Sequence, residues 1–518
     1  MNPFPWLSLL TWLPLLAGLG LLVRPIRSNR VLAAPSFIFS VFTSLISLMV
    51  VLKYAGGSET SQWEERMEWI PSLGIDYALG LDGLSVVMLT LSALIMPMAL
   101  GACRLSGLTH ERLAGCLLMI QGTLAGVFTA QNFFLWFFFY EIALIPAYFL
   151  IKLWGKPGSE SVSLRFFIYS MIGSIALLVG YLALASALGS YEFKSLSEAS
   201  ATQWLPEALG KNLAWFNLPI KWIVAILFAL IFGGLAVKVG MVPLHGWLPD
   251  TYEHAPSPVT MVLTALLSKM GLYGMVRMVM PLLPYTPWPL IQLTMIVTVV
   301  GLLYAAMSAM GQVSLKRMLA YSSVNHLGYC VMALLALARP SMGEASLLTA
   351  KEFALGGLAM QMFSHGLIAA ALFYLTSLME HRMPGKISVD GPGGLRAEVP
   401  HLAGWMGLAV FASIGLPGLC GFIGEFMIFR GVFALIPWAA CIALPALLIT
   451  AIFYLRMLQY VFHGQRKHGA CSLTDLSRRE CLLMMPVMAL ILILGWFPHY
   501  IMDLLNPTLI EAIEGMIF

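Results

Sequence analysis

The feature that most constrains this chain is one length, repeated. An α-helix needs about 20 apolar residues to cross the hydrocarbon of a bilayer. Runs of that size fall at 5–23, 32–53, 83–103, 113–131, 132–153, 165–189, 222–244, 258–280, 286–310, 318–338, 353–379, 402–433, 436–462 and 481–502. Between 113 and 153 only Gln131-Asn132 interrupts the apolar stretch. In lipid each backbone polar group must be satisfied within its own segment, so such runs fold as helices. The expected fold is an all-α integral membrane protein with about fourteen transmembrane helices.

Composition closes the alternatives. Charged residues make up 10% of the 518 positions and hydrophobic residues 59%. A soluble domain carries about 25% charged residues, and a chain this poor in them cannot cover a water-facing surface. That excludes a soluble globular enzyme, a disordered chain and a nucleic-acid binder. The net charge of +4 supplies no basic patch. The lipid bilayer is the expected solvent. The run Pro5–Val23 is followed, not preceded, by Arg24, Arg27 and Arg30, the reverse of a signal peptide, so it reads as the first span.

The seven cysteines, at 103, 116, 330, 420, 441, 471 and 481, form no C-x-x-C pair and lie mostly in apolar runs. They read as small packing residues and not as ligands. No Gly-rich nucleotide motif, P-loop or H-E-x-x-H is present. No cofactor or metal is expected in this chain; if electrons or nucleotides matter, another subunit handles them.

Charge sets the expected orientation. With alternating sides, seventeen Lys and Arg fall on one side: Arg24, Arg27, Arg30, Arg104, Arg112, Lys152, Lys156, Arg165, Lys316, Arg317, Arg382, Lys386, Arg396, Arg466, Lys467, Arg478 and Arg479. Nine fall on the other: Lys53, Arg66, Lys194, Lys211, Lys221, Arg277, Arg339, Lys351 and Arg430. The positive-inside rule makes the first side cytoplasmic and, with fourteen spans, puts both termini outside. In a bacterial inner membrane that is the periplasm. Two longer outer loops occupy 54–82 and 190–221. In the first, Trp63–Ile70 and Ile75–Leu81 read as a hairpin, and Asp82 as a cap for span 3. The stretch Pro507–Phe518 reads as a short amphipathic interfacial helix.

Two spans carry Gly and Pro in their middles. Span 7 contains Gly240 and Pro243, and span 12 contains Gly415, Pro417, Gly418 and Gly421. Proline removes a helix hydrogen bond, and irregular backbone survives at membrane depth only against protein or water. The breaks lie five spans apart, the pattern of two inverted five-helix repeats, spans 4–8 and 9–13. The expected divisions are 1–112, a three-helix leader with the hairpin; 113–281, the first repeat; 282–465, the second; and 466–518, the last span and terminal helix.

Ionisable residues inside spans cost about 2.5–3.5 kcal/mol each and mark function by default. Glu141 (span 5), Lys238 (7), Lys269 (8), His326 (10), His365 (11) and Glu425 (12) form such a string. A Glu–Lys pair with variable separation is a proton switch, because each charge sets the proton affinity of the other. Salt bridging, snorkelling and satisfied core histidines are the plainer readings. His245, Asp250 and His254, with Glu253, lie between spans 7 and 8 and are either a proton-uptake funnel or helix caps.

The stretch Lys238-Val-Gly-Met-Val-Pro-Leu-His-Gly-Trp247-Leu-Pro-Asp250, with Ala255-Pro256 and Lys269-Met-Gly-Leu-Tyr273-Gly, resembles the antiporter-like proton-translocating subunits of respiratory complex I. So do Gly80-Leu-Asp-Gly-Leu-Ser85 and Gly415-Leu-Pro-Gly418. The motif Gly421-Phe-Ile-Gly-Glu425-Phe is similar to the M type, the counterpart of mitochondrial subunit 4, where other members place lysine at Glu425. The resemblance spans the whole chain. It implies a membrane subunit of an NADH:quinone oxidoreductase, beside L- and N-type neighbours, moving protons while quinone is reduced elsewhere in the complex. It implies Glu141 and Lys238 as a coupled pair, Lys269 as central relay, His326 and His365 on the path, and Glu425 as terminal site. The chain departs from many M-type members in carrying His254, where a carboxylate commonly precedes Ala255-Pro256. Alternatives are a D-type subunit of a multisubunit Na⁺/H⁺ antiporter, a membrane-bound hydrogenase or ferredoxin-dependent relative, or a non-pumping scaffold subunit.

Overall fold

The computed structural model describes residues 4–23, 33–54, 61–213, 218–340, 344–383, 387–389, 391, 393–464 and 473–514. Arg24, Arg27, Arg30, Lys386, Arg466, Lys467, Cys471 and the terminal 515–518 lie outside the described residues. Among the described residues, thirteen helices are long and apolar enough to cross a membrane. The fourteenth crossing is span 12, which is two shorter helices, Pro400–Ile414 and Cys420–Leu435.

The interruptions follow local chemistry. Span 7 ends at Val239 with Gly240 left-handed (φ +80), and the chain resumes as the short helix Leu248–His254. The first half of span 12 likewise ends on Gly415 at φ +80. Only glycine adopts that conformation without strain, and it closes the last turn in both places. Asp250, Glu253 and His254 therefore belong to a second half-helix of span 7, not to a plain connection. A third interruption was not foreseen. Span 5, Phe133–Trp154, is two helices meeting at Ala143, two residues after Glu141. Pro146 explains it: it has no N–H for the Ile142 carbonyl, and its ring crowds that carbonyl.

Burial sorts the spans. Spans 8 (Ser257–Tyr285) and 11 (Ala345–Arg382) are wholly enclosed over their apolar windows, and spans 4 (Glu111–Thr129) and 10 (Leu315–Ala336) nearly so. Spans 6 (Ser159–Leu188), 9 (Trp288–Met310) and 13 (Pro437–Phe462) turn a row of large apolar side chains outward, such as Ile168, Ile172 and Ile175 on span 6. A row of that kind suits lipid contact. The half-helix Cys420–Leu435 lies hard against span 11, where a Cβ on Gly424 would meet the Gln361 backbone at 2.9 Å and one on Gly431 the Ala350 carbonyl at 2.7 Å. Small residues at such crossings let helix backbones approach closely.

Outside the bundle, strands β1 (Gln62–Ile70) and β2 (Ile75–Leu81) form the expected antiparallel hairpin. Asp82 caps span 3 by accepting from the Ser85 N–H at 2.9 Å. The terminal helix starts earlier than expected, at His499, and buries Ile501, Leu505, Leu509 and Ile513. Some basic residues counted to one side are enclosed by the bundle. Lys351 is buried in span 11, Arg277 lies within span 8, and Lys316 is buried in the first turn of span 10. Among the described residues, the following ion pairs join ends that the charge count puts on one side. Lys156 meets Glu380, Arg165 and Arg317 meet Asp250, and Arg382 meets Glu480, while Arg66 meets Glu192 on the opposite side.

Candidate functional site

Four of the six candidate residues meet inside the bundle, where span 8 meets spans 10, 11 and 12. Lys269 Nζ lies 2.7 Å from His365 Nδ1. The His365 and His326 rings are 5.5 Å apart, centroid to centroid. His326 Nδ1 is 2.9 Å from Glu425 Oε1. That approach is out of line for a hydrogen bond, and Nδ1 has no other hydrogen-bond partner. The result is one file, Lys269–His365–His326–Glu425, drawn from spans 8, 11, 10 and 12. All four side chains are buried.

The local folding of span 8 sets Lys269. A π-helical turn, Leu263–Leu267, precedes it and a second, Met275–Val279, follows. Each wide turn inserts a residue, so the helix face is re-aimed. Lys269 Nζ donates to the Thr264 carbonyl at 2.6 Å and so has an internal acceptor as well as His365. These turns were not legible in an apolar run without proline. Ser413, also unforeseen, lies 3.4 Å from His326 Nε2 through its Oγ. It occupies the last turn before the break in span 12, two residues before Gly415, as Lys238 stands two residues before Gly240 in span 7.

Glu141 and Lys238 face the same region but do not touch. No ion pair links them, and neither Glu141 Oε1 nor Lys238 Nζ has a hydrogen-bond partner. Lys238 Nζ instead lies 4.7 Å above the ring of Tyr140, the neighbour of Glu141, in a cation–π contact. The ammonium is buried in the last turn of its half-helix, where unpaired carbonyls favour a cation. A buried charge with one soft contact is a high-energy arrangement and responds to small movements of its neighbours.

The three candidates for proton uptake separate. Asp250 is held by Arg165 at 2.8 Å and Arg317 at 2.5 Å. His254 spends Nδ1 on the Asp250 carbonyl at 2.9 Å, the cap-like reading. His245 is half-buried with Nδ1 unpartnered, beside the rings of Tyr304 and Tyr321. A separate void of about 10 Å³ beside His365 is lined by Ser322, Ser323, Ser413 and Tyr454. That is about one water in size.

Sequence reasoning also missed two ionic clusters. Glu380 accepts from Lys156 at 2.7 Å and from Ser257, with Lys316 Nζ at 4.0 Å. Arg277 pairs with Asp82 and donates to the Tyr273 hydroxyl at 2.9 Å. Asp82 reads from the sequence only as a cap, and Glu380 as one more charge at the end of span 11. Among the described residues no group of three or more His, Cys, Asp or Glu could hold a metal ion.

This arrangement can be set beside known proteins. The family model described as "NADH:quinone oxidoreductase/Mrp antiporter, TM" matches residues 130–450. The chain belongs to that family. A Rhodobacter capsulatus protein named NADH-quinone oxidoreductase subunit M is 30% identical, over 98% of this chain and 96% of that one. A Methanosarcina mazei protein named F(420)H(2) dehydrogenase subunit M is 31% identical over 99% of each. Among solved structures, a chain of respiratory complex I from Thermus thermophilus superposes with TM-score 0.83 at 24% identity, over 99% of this chain and all of that one. A chain of the Mrp complex from Dietzia superposes with TM-score 0.82 at 18% identity, over 100% of both. At these identities the structural likeness establishes the fold. All six span residues, Glu141 to Glu425, lie within the part of the chain that this antiporter family's model matches.

Proposed function

We infer that this chain is a proton-translocating membrane subunit of an NADH:quinone oxidoreductase. The observation that carries the reading is the buried file Lys269–His365–His326–Glu425, together with Lys238 and Glu141, whose Nζ and Oε1 have no hydrogen-bond partner. Each member can hold or release a proton, and neighbours stand at or near hydrogen-bonding distance. A scaffold has no reason to bear the cost of so many buried titratable groups.

Glu141 and Lys238 are the input. Because they do not touch at rest, closing the gap between them stabilises the charged lysine, and opening it releases a proton toward Lys269. Lys269 passes it by its direct contact with His365. His326 and Glu425 carry it to the far half of the molecule. The half-channels are the two repeats, 113–281 and 282–465, flanked by 1–112 and 466–518. Uptake runs past His245, whose Nδ1 is unpartnered and whose ring lies beside Tyr304 and Tyr321, and not through Asp250 or His254, which have structural partners. The energy comes from quinone reduction in other subunits, which carry the flavin and iron–sulfur clusters. The neighbours are L- and N-type membrane subunits. The protein lies in a bacterial inner membrane with both termini periplasmic, as the charge bias requires.

The test is proton uptake by vesicles holding the assembled complex, driven by NADH and a quinone in Na⁺-free buffer. Pumping that persists without Na⁺ and fails with Glu425→Ala supports the reading. A strict Na⁺ requirement would favour the Na⁺/H⁺ antiporter alternative. Normal pumping in Glu425→Ala would favour the scaffold.

A further inference from the structure

Spans 2 (Ala33–Leu52), 3 (Gly83–Leu105) and 14 (Arg478–Trp496) do not close against one another along their whole length. A lateral crevice of about 240 Å³ opens between them, lined among others by Phe37, Leu45, Ala93, Pro97, Leu483 and Val487. The lining is almost entirely apolar. Two prolines stand in it, Pro97 inside span 3 and Pro486 inside span 14. Each removes a helix hydrogen bond and bends its helix, which holds the pair apart there. One turn further along, the gap shuts, and an added Cβ on Gly101 would lie 2.5 Å from Leu483 Cδ2.

The crevice has a length and a charged mouth. On span 2 its lining runs from Phe37 to Leu48, about 17 Å of helix at 1.5 Å per residue, close to half the thickness of the hydrocarbon core. Just past the Gly101–Leu483 closure stand Arg104, at the end of span 3, and Arg478 and Arg479, at the start of span 14. All three are exposed, and none forms an ion pair with another described residue. An apolar slot one leaflet deep with arginines at its head has the two chemistries of a phospholipid, an acyl chain and a phosphate.

We propose that this crevice binds one acyl chain of an anionic phospholipid, whose headgroup phosphate is held by Arg478, Arg479 and Arg104. The chain fills space that no protein atom occupies, and so restores dispersion contacts along the lining. Guanidinium groups match phosphate oxygens in paired hydrogen bonds, and basic pockets at helix ends favour anionic headgroups. The leaflet is the one that the proposed orientation makes cytoplasmic. The site otherwise rests only on the membrane assignment and not on the proton route.

The experiment uses the assembled complex in phosphatidylcholine vesicles containing phosphatidylglycerol with a photoreactive diazirine on one acyl chain. Labelling should fall on peptides from spans 2, 3 and 14 and disappear in Ala93→Phe, which fills the slot. Arg478→Gln and Arg479→Gln should each lower it about fivefold, the effect of one arginine near an anionic surface. The same diazirine on phosphatidylcholine should label several-fold less. Equal labelling by both lipids, indifferent to the arginines, would overturn the proposal. So would a cross-link from a photoreactive residue at position 93 to a neighbouring subunit, which would make the crevice a protein interface. The arginine variants should pump normally. A pumping defect in them would bear on the proton route alone, and the labelling decides the lipid site.

Discussion

His326 and Glu425 come within 2.9 Å of each other from different spans, 10 and 12, ninety-nine positions apart in sequence. The carboxylate reaches the ring only because span 12 is broken. Gly415 ends its first half, and a Cβ there would lie 2.7 Å from Glu425 Oε2. The break, the carboxylate and the imidazole are thus one unit.

That closeness makes Gly415 a sensitive position. Gly415→Ala puts a side chain on a left-handed residue, at about 1–2 kcal/mol, and pushes Glu425 away from His326. Pumping should fall while the complex still assembles, as read by proton uptake beside a native gel. Full pumping in this variant would uncouple the break from the file.

Lysine at 425 gives a sharper outcome. His365 and His326 stand between position 425 and Lys269, so two cations there do not meet directly. Glu425→Lys should retain part of the pumping that Glu425→Ala loses, in the same vesicle assay. Equal loss in both would show that the site requires an acid.

Glu141 and Lys238 stand without contact, with the ring of Tyr140 under the ammonium. Glu141→Gln and Lys238→Met should each lower pumping at least about tenfold, and the double variant should be little worse than either single one. Additive losses, measured as coupled rates, would separate the two residues.

Arg382 and Glu480 tie the end of span 11 to the start of span 14 through two contacts of 2.7 and 2.8 Å. Both side chains are about nine-tenths buried. Removing one partner leaves a buried charge, at about 3–5 kcal/mol. Arg382→Met should lower the melting temperature of the complex, while Arg396→Met, taken as a surface control, should not.

Asp475 predicts a pH effect outside the membrane. Partial burial pushes its carboxylate up, but the N–H groups of His401, Leu476 and Leu402 and the His401 ring outweigh this and hold it below 3.8. The folded form therefore prefers the charged carboxylate. Its stabilisation is present above the unfolded value and is lost as pH falls through the folded one. Asp475→Asn should be less stable than the parent at pH 7, and the gap should shrink below about pH 4 in melting curves. A gap that stays constant with pH would remove the charge from the account.

The sequence by itself determined the solvent, the number of crossings, the two glycine-ended breaks and the residues that bear charge inside them. Those follow from hydropathy, helix length and the backbone chemistry of Gly and Pro, which act within a few residues. It determined the outer hairpin for the same reason. Tertiary structure decided the rest. Which titratable groups touch depends on helix rotation and crossing, and a one-residue π turn before Lys269 changes that aim without changing the apolar pattern. The sequence order of the string placed Lys269 next to Lys238, but packing put it against His365, ninety-six positions away. Glu141 and Lys238, paired by charge in the sequence, stand apart in the fold, because the break at Ala143 and the ring of Tyr140 set their separation and charge complementarity does not.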